Sequence, residues 1–168
     1  MSYVALLRGI NLGKMNKVDM KSLKALFEEM GFQNVQTYIQ TGNVLFDNIA
    51  CDEHQIELKL KNTYGFDISV TIRSKAELKA IQQHSIFSKE NVYIMFLKEQ
   101  ISKEQIEFLK IVIDEEFAVL EKKTIIINLS KNHHQTKYTN TFFEKQLKTT
   151  STLRNRNTVN KILLKCNA

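Results

Sequence analysis

Proline is absent from this 168-residue chain and glycine occurs only five times. Turns must therefore be built from Gly, Asn, Asp and Thr. Cysteine is limited to Cys51 and Cys166, with no Cys-x-x-Cys spacing. Two isolated thiols point to a reducing compartment and argue against a structural zinc site. No apolar run approaches the roughly 18 residues that span a bilayer. The opening Met1-Ser2-Tyr3 lacks a basic segment followed by an apolar one, so secretion is not expected. A cytoplasmic protein with no membrane partner is the expectation. Acidic residues are scarce near the end: residues 122–168 hold ten Lys and Arg against one acid, Glu144, a net of +9. Residues 1–121 hold 14 against 17, a net of −3. That asymmetry directs the C-terminal part toward something anionic, or leaves it a solvated lysine-rich face.

What is present is patterned. Hydrophobic residues make up 43% of the chain, enough for a core without disulfides or metal. Tyr3–Arg8 is a short apolar strand. Asp19 can cap a helix whose apolar positions Met20, Leu23, Leu26, Phe27 and Met30 follow helical spacing. Val35, Thr37 and Ile39 alternate with polar neighbours, Thr41-Gly42-Asn43 is a tight turn, and Val44–Phe46 returns. Ile56, Leu60 and Tyr64 mark a second helix, and Ile68, Val70 and Ile72 a further strand. Ser74 with Glu77 reads as a capping box opening a connecting helix. A second series then begins near Asn91: a strand over Val92–Leu97, a helix after the Ser102/Gln105 capping box, strands over Phe117–Leu120 and Thr124–Leu129, and helices near Thr139–Leu147 and Thr158–Cys166. The fold class is α+β, with two ferredoxin-like halves of β-α-β-β-α-β type. They are expected to span residues 1–84, with the connecting helix, and 85–168, with a basic terminal helix. The last helix stands where a sixth strand of the second half would be.

Three polar segments carry candidate chemistry. "RGINLGKMNK", Arg8 to Lys17, follows a strand but is not a Walker A loop. One residue too few separates its glycines, and Met15 stands where a magnesium-binding hydroxyl belongs. Its backbone N–H groups with Arg8, Lys14 and Lys17 can hold an anion, or the glycines can simply supply positive φ. "TLRNRNT", Thr152 to Thr158, sets arginines ahead of a helix, with Asn157 as the expected N-cap; planar guanidinium groups suit phosphate or carboxylate. "YIQTGNVLF" crowds Gln40, Thr41 and Asn43 at a turn, which is also ordinary hairpin chemistry. His133 and His134 are adjacent, with no cysteine or carboxylate at ligand spacing, so no metal site is indicated. No cofactor is indicated either.

"YVALLRGINLG", "NKVDMKSLKALFEEMGFQNVQTYIQTGNVLF" and "TLRNRNTVNKIL" together resemble the domain of unknown function (DUF) 1697 family of bacterial proteins. The resemblance implies two ferredoxin-like subdomains and no established activity. Its shared positions fall here on Arg8, Gly9, Asn11, Gly13, Asn16, Lys17, Tyr38, Gln40, Thr41, Gly42, Asn43, Arg154, Asn155, Asn157 and Thr158. Lys14 stands where the family usually has glycine, and Arg156 where it usually has tryptophan, which removes an aromatic surface. The expectation is a binding module for a phosphate-bearing small molecule or nucleic acid, in a cleft between the halves. Arg8, Lys14, Lys17 and Arg154 would neutralise charge there. Asn11, Gln40, Thr41, Asn43, Asn155, Asn157 and Thr158 would orient the ligand. The alternatives are an enzyme performing acyl or phosphoryl transfer on a small anionic substrate, with Tyr38, Lys17 or His134 as its reactive group, and a protein–protein adaptor using the basic tail.

Overall fold

The computed structural model describes residues 2–132 and 135–167. The reading of His133 and His134 lies outside the described residues. Among the described residues the chain is mixed α+β, with two four-stranded antiparallel sheets and six α-helices. It divides into two compact units, residues 1–78 with 161–168, and residues 79–160.

In the first unit the order is β1 (Tyr3–Arg8), α1 (Met20–Glu29), β2 (Gln36–Tyr38), β3 (Asn43–Phe46), α2 (Glu53–Tyr64) and β4 (Ser69–Ser74), followed by α3 (Lys75–Gln83). The sheet runs β2-β3-β1-β4. Alternation along β1 sends Ala5 and Leu7 to one face, where they meet Val44 and Phe46 of β3 and Val70 of β4. Leu23, Leu26 and Phe27 of α1 and Ile56 and Leu60 of α2 close this core. Asp19 caps α1 by accepting the Ser22 N–H at 2.9 Å, and Asp52 with Gln55 forms a capping box on α2. Gly65, left-handed at φ 84°, ends α2. The sheet's outer strand is blocked, because Glu57 and Glu53 of α2 accept the N–H groups of Val70 (2.8 Å) and Ile72 (2.6 Å) on β4.

The second unit repeats the order with β5 (Val92–Leu97), α4 (Lys103–Val112), β6 (Glu116–Leu120), β7 (Thr124–Asn128), α5 (Asn140–Leu147) and β8 (Ser151–Asn155), then α6 (Arg156–Cys166). Its sheet runs β6-β7-β5-β8. Met95, Leu97, Ile125 and Ile127 pack with Leu109 of α4 and with Phe143 and Leu147 of α5. Glu144 of α5 accepts the Ser151 N–H at 2.9 Å, as the α2 glutamates do for β4.

Two expectations need correction. The sixth strand of the second half is present: Thr152 and Arg154 of β8 pair with Phe96 and Ile94 of β5. Its polar letters conceal a strand because Thr152 and Arg154 lie buried on a sheet face that they share with Ile94, Phe96 and Ile126. The same face in the first unit carries Asn43, Thr71 and Arg73, all at most 2% exposed. The terminal helix also divides differently from the expected 84/85 boundary. Residues 161–168 group with the first unit, where Lys165 Nζ lies 5.4 Å from the centre of the Tyr38 ring.

Candidate functional site

The connection from β1 to α1, Gly9 to Asp19, is shaped by four left-handed residues: Gly9 (φ 75°), Asn11 (52°), Gly13 (59°) and Asn16 (54°). Glycine and asparagine are the residue types that tolerate this region. Leu12 and Met15 exchange both backbone hydrogen bonds, at 3.0 and 2.9 Å, so Gly13-Lys14 forms a two-residue hairpin turn with positive φ at its first residue only, the type II′ pattern. The asparagine side chains hold this shape. Asn11 Oδ1 accepts the Val18 N–H at 2.9 Å, and its Nδ2 donates to the Val18 carbonyl at 3.1 Å and to the Gln40 carbonyl at 2.8 Å. Asn16 Nδ2 donates to the Gly9 carbonyl at 3.0 Å.

The bond from Asn11 to Gln40 ties the loop to the β2–β3 turn. That turn rests directly on β1. The Gly42 carbonyl accepts the Leu7 N–H at 2.9 Å, and a Cβ on Gly42 would sit 2.7 Å from Ile10 Cδ1 and 2.9 Å from Leu7 Cβ. With φ at 92° as well, no other residue fits position 42 without movement. Asn43 is fully buried, and its Nδ2 donates to the Tyr38 carbonyl at 2.9 Å and to Thr41 Oγ1 at 3.3 Å.

Seven of the expected site residues therefore gather at one end of the first unit's sheet: Arg8, Asn11, Lys14, Lys17, Gln40, Thr41 and Asn43. Asn11 and Asn43 spend their amides on the fold. Lys14 and Lys17 are exposed, and among the described residues neither is ion-paired. From Arg8 to Val18 there are three cations and no acid.

The remaining four lie in the second unit, at the β8–α6 junction. Arg154 stands inside a strand and not in a loop. Its guanidinium donates to the Leu153 carbonyl at 2.9 Å, and burial pulls its pKa down to about 10, so it stays charged at neutral pH. The N-cap of α6 is Asn155, whose Oδ1 accepts the Thr158 N–H at 2.9 Å; the expectation of Asn157 is corrected. Asn157 is exposed in the first turn and Thr158 is buried. Arg156 donates to the carbonyls of Phe87 (3.0 Å) and Lys89, a clamp between backbone segments. A shallow 130 Å³ depression beside it is lined by Asn91, Tyr93, Asn155, Arg156 and Asn157.

Sequence reasoning missed Leu12 and Met15 on the first-unit loop and placed Ile39, which lies in the β2–β3 turn, on a half-buried strand. Leu12, Met15 and Ile39 are 57%, 68% and 41% exposed. The available signal was two large apolar residues flanking Gly13-Lys14 inside an otherwise polar turn. It also missed Arg73, a cation alternating with Thr71 along β4. Among the described residues no group of three His, Cys, Asp or Glu side chains is placed to hold a metal ion, and no helix is long and apolar enough to cross a membrane.

Residues 1–124 match the model of DUF1697, described as a protein of unknown function. The chain belongs to the DUF1697 family. The match includes the Gly9–Asp19 loop and the Tyr38–Phe46 turn and stops before Arg154. A solved structure, that of the conserved bacterial protein SP0830 from Streptococcus pneumoniae, is similar over 99% of this chain and 98% of its own, with 24% identity and a TM-score of 0.74. That likeness is one of fold. No curated protein matches this DUF1697 chain.

Proposed function

We propose that this protein binds a phosphate-bearing ligand, a nucleotide or nucleic acid, at the Gly9–Asp19 loop of its first unit. One observation carries the reading. The asparagines and the Gly42 contact fix the loop's shape, while Lys14 and Lys17 remain unpaired and exposed on it. The reading rests on the first unit, because Arg154 is an interior group of the second. Each half is inferred to be ferredoxin-like; the support is the β-α-β-β-α-β order and the strand order, which is last-first-third-second in both. Two free cysteines support a cytoplasmic setting.

The test is titration of the full chain with UMP and with inorganic phosphate, followed by NMR shifts of the Gly9–Asp19 amides. Saturable shifts confined to this loop, lost in Lys14→Gln/Lys17→Gln, are expected. Shifts elsewhere, or binding that survives the double substitution, contradict the reading.

A further inference from the structure

The two units offer an internal control for the loop. From β1 to α1 the chain uses eleven residues, Gly9 to Asp19; from β5 to α4, in the same place of the same element order, it uses five, Lys98 to Ser102. Five residues suffice to join that strand to that helix. The additional length in the first unit is therefore not needed to close the fold, and long connections of this kind commonly carry function.

The extra residues present an unusual surface. Leu12 and Met15 sit opposite each other across the Gly13-Lys14 turn, and paired residues of a hairpin project from the same face. Both are more than half exposed. The Asn11–Gln40 bond brings the β2–β3 turn to this loop, and with it Ile39. Ile39 is left-handed at φ 50° and 41% exposed. A β-branched residue is disfavoured in that conformation, where asparagine or glycine would sit without strain. Burial does not explain its presence. Two exposed apolar side chains thus share the loop with Lys14 and Lys17 and a third lies on the turn bonded to it, with no acid between Arg8 and Val18.

We infer that the ligand at this loop is single-stranded nucleic acid, its phosphates held by Lys14 and Lys17 and its unstacked bases resting on Leu12, Met15 and Ile39. This deepens the phosphate-binding reading and depends on it. Strands whose bases are not paired expose flat apolar faces next to a regular line of negative charge, the two features this surface complements. A duplex hides those faces in its stack. A mononucleotide fills one base contact at most. An anionic bilayer matches the charge, but even a complete acyl chain gives only marginal, reversible membrane binding, and three short side chains bury less. The sheet face that RNA-recognition domains use for stacking is closed here, with Asn43, Thr71 and Arg73 buried.

The experiment is fluorescence anisotropy of the full chain with 5′-labelled (rU)12 and (dT)12, against a 12-base-pair duplex, UMP and vesicles containing anionic phosphatidylserine. Expected is binding of the single strands at least tenfold tighter than of UMP or duplex. Leu12→Ser/Met15→Ser should weaken oligonucleotide binding about fivefold or more while leaving its salt dependence unchanged. Lys14→Gln/Lys17→Gln should lower the log–log salt slope by about 1.4, two phosphates at roughly 0.7 each. Ile39→Asn should raise the melting temperature yet weaken binding, an outcome a purely structural residue would not give. UMP binding at the loop without tighter oligonucleotide binding overturns this inference and leaves the phosphate reading standing. Absence of any binding overturns both. Vesicle binding in preference to oligonucleotides, or an Ile39→Asn protein that binds as the parent does, overturns the assignment to bases.

Discussion

The two units repeat one plan and differ at their turns. The β2–β3 turn of the first unit lies against β1 so closely that only glycine fits at position 42. The β6–β7 turn of the second unit places Glu121 and Lys122 in the left-handed region, at φ 52° and 59°, both exposed. Both turns are held from outside, the first by the Leu7 N–H on the Gly42 carbonyl and the second by Leu97, Ile101 and Gln100 donating to the carbonyls of Lys123, Lys122 and Glu121, but only the first leaves no room for a Cβ. The same contrast appears between the β1–α1 and β5–α4 connections. Where the first unit has a pinned eleven-residue loop, the second has a short link ending in the Ser102 capping box. Features shared by the two units belong to the scaffold, and features confined to one are candidates for function.

The buried arginines test the shared part. Arg73 and Arg154 occupy the penultimate positions of β4 and β8, and each donates to the carbonyl of the preceding residue, at 3.2 and 2.9 Å. Arg73→Ala and Arg154→Ala should each destabilise by about 3–5 kcal/mol in urea unfolding, since truncation leaves buried partners unsatisfied. A loss at one position only would break the equivalence. Next in size is Gly42→Ala, expected to cost about 2–4 kcal/mol from positive-φ strain and overlap with Leu7 and Ile10. By contrast, Glu121→Asn/Lys122→Gly should stabilise by about 0.5–1 kcal/mol, because it relieves positive-φ strain at two exposed positions and keeps the backbone carbonyls to which Gln100 and Ile101 donate. The smallest effect is a pH dependence. The Tyr138 hydrogen bond holds the Asp114 carboxyl below the usual carboxylate range, while burial first and this bond second raise the Tyr138 hydroxyl. Asp114's contribution is present above the ordinary Asp pKa near 4 and is lost as pH falls through its depressed value; Tyr138's is present below about pH 10 and is lost as pH rises through its raised value. Tyr138→Phe should flatten the stability profile at both ends.

Three helix starts were legible because capping is local chemistry, whereas at α6 Asn155 takes the place expected of Asn157. Asp19, the Ser74/Glu77 pair and the Ser102/Gln105 pair each act where spacing placed them. Strand β8 was not legible, because Thr152 and Arg154 read as surface residues, whereas the structure buries both on a sheet face shared with Ile94, Phe96 and Ile126. At the candidate site, the structure brings two of the three polar segments together in the first unit and gives some of their side chains structural work. Asn11 and Asn43 look like ligand-reading amides, yet a left-handed loop and a close turn consume them first. Leu12 and Met15 escaped notice because exposure is a tertiary property and single apolar letters in a polar loop carry no period, while Ile39, read as a strand position alternating with Val35 and Thr37, lies past the end of β2 and is exposed.

The most direct measurement is the salt dependence of (rU)12 binding in the parent chain and in Lys14→Gln/Lys17→Gln. The account predicts a steep fall of affinity with salt in the parent and a slope shallower by about 1.4 in the variant. Equal slopes in the two proteins would contradict it.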